Sequence, residues 1–319
     1  MNGQIKLIAN STIARRITPA FDNVIGQDSV LHKIGFYLKT NTSVSPFPTM
    51  LFTGSHGLGK TYVAEKVARN LSRRFIEVNC GLISTDKDLV EGILLKRVIG
   101  DTPATLFLDE AHRLSPEITT ILLTLLNPNE RMMNEIHYKE WGILLDMSNV
   151  NTILATTDAY KIFRPLVDRC ERIYFEAYDT DQLIQMLRMY CPDMRLNCDE
   201  EDLADACRGR GRDAFTLAQK INRYLREQGK TTLTVHGWQV IKSIFDIYPK
   251  GLNRQEVDLM KIVAKQGPIS SANIALTMMV NVDNIESEIE VRPRELGLIQ
   301  STTRGRILTE KGEDYVKEL

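Results

Sequence analysis

Apolar residues recur along this chain in two rhythms, and the point where one gives way to the other divides it. From residue 21 to 176, short consecutive apolar runs alternate with stretches of helical spacing. The phrase TPAFDNVIGQDSVLHKIGFYL begins with turn chemistry and passes into Val30, Leu31, Ile34 and Leu38, one face of a helix. After the loop NTSVSPFP, the phrase PTMLFTGSHGLGKTYVAEKVARNL predicts a short buried strand, a glycine loop and a helix with Val63, Val67 and Leu71 on one side. The same grammar returns as RRFIEVNC (strand), KDLVEGILLKRV (helix), ATLFLDEA (strand), SPEITTILLTLLN (helix) and NVNTILATTD (strand). Buried strands separated by helices predict an α/β domain with a parallel sheet covered on both faces.

Past residue 176 the strand runs are expected to stop. DTDQLIQMLRMY, EEDLADACR, RDAFTLAQKINRYLRE and TVHGWQVIKSIF read as four helices. The Pro/Gly linker YPKGLN follows, and EVDLMKIVAKQ, ISSANIALTM and NVDNIESEIEVRPRELGLIQSTTRGRILTEKG then predict three helices and a short hairpin, a winged-helix pattern. The expected organisation is an N-terminal arm over 1–20, a large domain over 21–176, a small helical domain over 177–248 and a winged helix over 249–319.

Composition narrows the class. A chain of 319 residues suggests two or three domains. With 43% hydrophobic and 25% charged residues, and no apolar run near the roughly 20 that a membrane span needs, the expectation is a cytoplasmic protein. The start, MNGQIKLIANSTIARR, has no long apolar stretch or small-residue cleavage site, so no export signal is expected. Five cysteines without a CxxC spacing argue for reduced thiols rather than disulfides or zinc. The net charge of −1 excludes a globally basic nucleic-acid binder, so any DNA contact has to be a local patch or one shared by a ring.

The strongest chemical signal is Gly54-Ser55-His56-Gly57-Leu58-Gly59-Lys60-Thr61, a complete GxxxxGK[ST]. Glycines let backbone N–H groups converge on phosphate oxygens, Lys60 brings a point charge to the β and γ phosphates, and the Thr61 hydroxyl is placed to ligate Mg²⁺. Tyr62 follows directly and is counted with the nucleotide set, as are Gly54, Gly57 and Gly59. The run Ala104-Thr105-Leu106-Phe107-Leu108-Asp109-Glu110 carries a strand straight into two carboxylates. Asp109 is placed to hold Mg²⁺ and Glu110 to polarise the attacking water. These pairings imply ATP and Mg²⁺ as cofactors. His112, next in line, is expected to pack near the site.

P-loop, acidic strand and helical second domain together look like an AAA+ ATPase, with the helical domain as its lid. In that frame Thr157, after the strand TILATT, takes the sensor position beside the γ-phosphate. The segment Phe163-Arg164-Pro165-Leu166-Val167-Asp168-Arg169 offers Arg169 as a finger acting on a neighbouring subunit's nucleotide, or alternatively as one half of a surface ion pair with Asp168 or Glu171. Arg212, in GRGRDA, takes the second sensor position on the lid.

Taken in order, FDNVIGQ, GLGKT, LDEAHRL, ATT, LVDR, RGRGRDA and TTRGR resemble the RuvB family of bacterial Holliday-junction branch-migration motors, over roughly residues 17 to 315. The resemblance implies an ATP-driven homo-oligomer, a hexamer, around duplex or branched DNA, with nucleotide between the large and lid domains. It places Gly57, Lys60, Thr61, Arg169, Tyr178 and Arg212 on nucleotide positions, and Arg306 with Arg304 on a DNA-contacting wing. It also implies a junction-recognising partner resembling RuvA. The chain departs from the family pattern at Arg16-Ile17-Thr18, in GSHG where GPPG is expected, at Asp158 after ATT, and at Ser301 where the wing is expected to have arginine. The segment Glu135 to Leu145 reads as a shortened form of the family's partner-docking hairpin. Asp283, Glu286, Glu288 and Glu290 make the helix before the wing acidic, so major-groove reading by that helix is not expected. The alternative is an AAA+ loader or adaptor switch whose winged helix binds a replication or recombination protein.

Overall fold

The computed structural model describes residues 21, 23–42, 45–100, 102–127 and 133–319. The arm over 1–20 and the Arg16-Ile17-Thr18 departure lie outside the described residues. The chain forms two compact units, one of residues 1–178 with 210–212 and one of 179–209 with 213–319.

The first unit is built on a five-stranded parallel sheet of β1 (Met50–Thr53), β2 (Arg74–Asn79), β3 (Ala104–Asp109), β6 (Val150–Thr156) and β7 (Glu171–Tyr174), in the order β2-β3-β6-β1-β7. Parallel strands need crossovers, and the helices α1 (Asp28–Thr40), α2 (Lys60–Asn70), α3 (Asp88–Val98, wound in π form) and α4 (Pro116–Leu125) supply apolar faces for the sheet. Successive strand residues point to opposite faces. Leu51, Leu106, Leu108 and Leu154 are buried, and so are their neighbours Met50, Phe107 and Ile153, so both faces are covered as expected. One polar pair interrupts this core: the Thr105 hydroxyl donates to Asn151 Oδ1 at 2.7 Å between adjacent central strands.

Strand β7 was not anticipated from sequence. It is an edge strand whose Arg172 and Tyr174 are exposed, so it lacks the continuous apolar run of the central strands. Between α4 and β6 an antiparallel hairpin of β4 (Met133–Tyr138) and β5 (Trp141–Asp146) turns at Lys139-Glu140. Its buried positions are Asn134, Ile136, Tyr138 and Leu145, while Trp141 and Leu144 are 71% and 60% exposed. A short helix α5 (Arg164–Val167) precedes β7.

In the second unit the four expected helices are α6 (Thr180–Tyr190), α7 (Glu200–Ala206), α8 (Gly211–Glu227) and α9 (Val235–Ile244). Helix α8 buries Ala214, Leu217, Ala218, Ile221 and Leu225, an i, i+3, i+4, i+7 stripe. The expectation that strands cease here is corrected by a two-stranded parallel ladder of β8 (Arg195–Asn197) and β9 (Thr232–Thr234). At three residues each, these strands are too short to leave an alternating pattern. The winged helix follows with α10 (Arg254–Gln266), α11 (Ser271–Met278), α12 (Ile285–Ile289), α13 (Val291–Glu295), the hairpin β10 (Ile299–Thr302) and β11 (Gly305–Leu308), and a further helix α14 (Glu310–Lys317). Its own core includes Val257, Met260, Ile274, Ile285, Leu298 and Tyr315. Gly305 has φ 127, and a Cβ there would collide with the carbonyl of Ile269, which pairs with Arg306. The wing therefore requires glycine at that position. Among the described residues no helix is long and apolar enough to cross a membrane.

Candidate nucleotide site and wing

The six residues between β1 and α2 form the glycine loop. Gly54, Gly57 and Gly59 all have positive φ, and a Cβ on Gly54 would lie 2.7 Å from the Phe175 carbonyl oxygen. Only glycine lets the backbone turn this tightly while keeping its N–H groups free to converge. Lys60 opens α2, is 8% exposed, and donates from Nζ to the carbonyl oxygens of Gly54 at 2.7 Å and Ser55 at 2.8 Å. Burial pulls its ammonium below the ordinary 10.5; Asp109 and Glu110 oppose that pull, and Arg212 adds to it. Tyr178 is buried and donates its hydroxyl to the Leu58 carbonyl at 2.8 Å, so it braces the loop from one side. Residues Arg210 to Arg212 group with this unit, and the Arg212 N–H donates to the Gly57 carbonyl at 3.3 Å. Thr61 follows Lys60 on the helix, and Tyr62 is 43% exposed with the Lys66 ammonium 5.2 Å from its ring. Close backbone approach, a buried lysine and a hydroxyl at the helix start fit a nucleoside triphosphate, and Thr61 with Asp109 fits the oxygen preference of Mg²⁺.

Strand β3 ends at Asp109, whose Oδ1 accepts from the Glu110 N–H at 3.0 Å. Glu110 itself lies in the left-handed region at φ 56. Its two carboxylate oxygens lie 3.5 Å from His56 Nδ1 and 3.3 Å from His112 Nδ1, ion pairs whenever those imidazoles are protonated. His112 Nδ1 is also 3.0 Å from the Thr156 hydroxyl, and its Nε2 is 3.8 Å from Asp158 Oδ2. His112 thus joins the acid of β3 to the end of β6, a larger part than the packing role expected of it. His56 and Asp158 were noted only as departures from a pattern. The fold sets His56 beside the Glu110 carboxylate and Asp158 beside His112.

The Thr156 hydroxyl is fully buried and also accepts from the Asp158 N–H at 2.9 Å. Thr157 stands one residue beyond the strand and is half-buried; the hydroxyl that meets His112 is that of Thr156. Behind the acids, Cys80 is fully buried, and burial, then Asp109 and Glu110, push its thiol up to about 12. All five cysteines are free, as expected, and burial raises each of them: Cys170 and Cys207 to about 12, Cys198 to about 11, and Cys191 in the same direction.

Arg169 was expected to act as a finger or to be half of a local ion pair. Asp168 pairs instead with Arg164 at 3.0 Å and Arg172 at 3.3 Å. The Arg169 guanidinium donates from Nη1 to the Pro165 carbonyl at 3.4 Å, and among the described residues no carboxylate pairs with it.

At the wing the two expected DNA arginines part company. Arg304 sits exposed in the turn between β10 and β11. Arg306 points into the domain: Nε donates to Glu290 Oε2 at 2.9 Å and Nη2 to Glu286 Oε1 at 2.9 Å. Glu290 is 1% exposed and also pairs with Arg294. The acidic helix is therefore partly neutralised from within the domain. Asp283, Glu286 and Glu288 remain exposed, Glu286 with Arg306 as its partner, while Glu290 is buried.

A glycine loop and an acidic strand end on a β2-β3-β6-β1-β7 parallel sheet give the first unit an AAA+ fold. Residues 50–178 match the family model of ATPases associated with various cellular activities, AAA. Residues 249–317 match the family model of the RuvB C-terminal winged helix domain. The chain is 28% identical over 308 residues to the Holliday junction branch migration complex subunit RuvB of Ehrlichia canis (strain Jake), covering 93% of this chain and 92% of that protein. It is 25% identical over 305 residues to the RuvB subunit of Wolbachia pipientis wMel, covering 92% and 91%. Among solved structures, the RuvB Holliday junction branch migration motor of Thermotoga maritima superposes with a TM-score of 0.77 at 21% identity, covering 94% of this chain and 98% of that one. That likeness establishes the fold.

Proposed function

We propose that this chain is a cytoplasmic ATP hydrolase that works as a hexameric ring around duplex or branched DNA and couples ATP turnover to branch migration in recombination and repair. What carries the reading is one chain that holds both a complete AAA+ phosphate site and a RuvB winged helix. Lys60 gives up its contacts with neutral carbonyls to meet the β and γ phosphates. Thr61 and Asp109 would hold Mg²⁺, which when bound would neutralise charge on the phosphates. Glu110, steadied by His112, accepts the proton of the attacking water, and Thr157 helps to orient that water. Arg169, paired with no carboxylate among the described residues, reaches the nucleotide of a neighbouring copy. Arg212 reports the bound phosphates to the lid.

On DNA, the reading assigns phosphate contact to Arg304, multiplied around the ring, and a structural part to Arg306. The exposed Trp141 and Leu144 on the hairpin are the docking surface for a junction-recognising partner of RuvA type, one fitted to this hairpin. The loader or adaptor alternative is not favoured, because the winged helix matches that of a branch-migration protein.

Duplex length separates the two readings. For a translocase, ATP turnover at saturating DNA ends rises with duplex length until it levels off. Turnover that is indifferent to length, and that responds only to an added protein, would remove the motor reading.

A further inference from the structure

Four residues before Arg212, the same segment carries an arginine with a different destination. Arg208 follows α7 in the left-handed region at φ 56, and its guanidinium pairs with Glu256 of the winged helix, a side chain 2% exposed. Glu256 also closes the first turn of α10: its Oε2 accepts from the Asn253 N–H at 2.7 Å, and Asn253 Oδ1 accepts from the Glu256 N–H at 3.0 Å. One carboxylate therefore both caps the first helix of the winged helix and receives the lid's arginine.

The rest of the joint is largely polar. Lys250 Nζ lies 3.5 Å from Asp205 Oδ2, Arg292 donates to the Lys250 carbonyl at 3.4 Å, and Tyr315 donates to the Pro249 carbonyl at 2.9 Å. Gly251, at φ 70, sits so close to the Asp205 carbonyl that a Cβ would not fit. Beside these contacts a cleft of about 180 Å³, lined by Arg208, Thr216, Lys220, Phe245, Asp246 and Asn253 among others, interrupts the packing between lid and linker. The Nε atoms of Arg208 and Arg292 are buried without hydrogen-bond partners, so the charge in the joint depends on the surrounding carboxylates.

We infer that Arg208, through Glu256, is the positioning residue that passes the nucleotide-dependent placement of the Arg212 segment to the winged helix. This rests on the motor reading above. Nη2 of the guanidinium meets Glu256 Oε1 while Oε2 keeps the cap, so one carboxylate joins the lid to the first turn of α10 by a charge-assisted hydrogen bond. A contact of this kind can transmit motion because it ties the end of α7 directly to the first turn of α10, beside a cleft where the packing is interrupted.

The test uses the full chain. ATP turnover is measured with and without duplex DNA for the wild type, Arg208→Ala, Arg208→Lys and Glu256→Gln, alongside amide hydrogen exchange with and without a non-hydrolysable ATP analogue. Arg208→Ala is expected to keep basal turnover within about twofold and to lose about tenfold of the DNA stimulation, with Arg208→Lys recovering part of it. Exchange at 253–257 should respond to the analogue in the wild type and not in Arg208→Ala, while the interior of α10 stays protected. Stimulation and exchange response that both persist in Arg208→Ala overturn the proposal. Should Arg208→Ala fail to fold, Glu256→Gln decides by the same two readouts, since an amide oxygen preserves the cap and removes the charge. A wild type that DNA does not stimulate would break the motor reading instead, and the exchange response alone would then judge the coupling.

Discussion

Lys60 and Arg306 are both basic groups largely withdrawn from solvent, 8% and 15% exposed, yet their partners differ in kind. Lys60 donates to two backbone carbonyls, while the carboxylates of Asp109 and Glu110 act on it through space. Arg306 is bonded directly to Glu286 and Glu290. A phosphate arriving at the first replaces neutral dipoles with charge. At the second it would have to break charge-assisted hydrogen bonds and leave the buried Glu290 to Arg294 alone. Arg169 and Arg172 repeat the contrast at shorter range, since Arg172 is matched by Asp168 and Arg169 by a backbone carbonyl. A basic residue in a motif thus marks a ligand site only when its own fold has left it unmatched.

The largest effect that could break this comparison is at Arg169. Arg169→Ala should lower turnover by about 10³ while nucleotide still binds, and Arg172→Ala should leave turnover nearly unchanged. Mixing Arg169→Ala with Glu110→Gln subunits should restore activity in steady-state assays, because each supplies what the other lacks. Equal losses from the two arginine variants would undo the contrast.

Next in size is the wing. Arg306→Ala should cost about 2 kcal/mol in denaturant unfolding, because the buried Glu290 keeps Arg294 but loses the charge-assisted hydrogen bonds from Arg306. Arg304→Ala should leave stability within about 0.5 kcal/mol and lower the slope of log affinity against log salt by about one. A stable Arg306→Ala that loses DNA would reverse the assignment.

The smallest effect is a pH dependence. The Glu286 carboxyl is held below the ordinary 4.5 by its hydrogen bond to Ser271 and then by Arg306. An unfolded chain takes up that proton more readily than the folded one. The contribution is therefore complete above the ordinary value and disappears as pH falls through the depressed one. Acid titration of thermal stability should accordingly be less steep in Glu286→Gln than in the wild type.

Much of the first unit was legible because its central strands are buried on both faces and announce themselves as apolar runs, as in Leu106-Phe107-Leu108. The edge strand β7, with exposed Arg172 and Tyr174, gives no such signal. Nor does α14, whose buried side is little more than Gly312 and Tyr315 in the polar phrase EKGEDYVK. The candidate site divides in the same way. Lys60, Thr61, Asp109 and Glu110 sit in local motifs whose spacing carries the chemistry. Long-range pairing is invisible to spacing: His56 against Glu110, His112 against Thr156, and Arg306 against Glu290 meet only in the folded chain.

The raised thiols have a practical reach. A sulfhydryl that holds its proton near neutrality is a poor nucleophile, and Cys80, Cys170, Cys198 and Cys207 all titrate at about 11 or above. Maleimide or iodoacetamide probes should therefore pass over the native chain slowly. A single cysteine introduced at exposed Trp141 would then take a fluorophore against a dark background, turning the hairpin tip into a reporter without first stripping the molecule of its own sulfur.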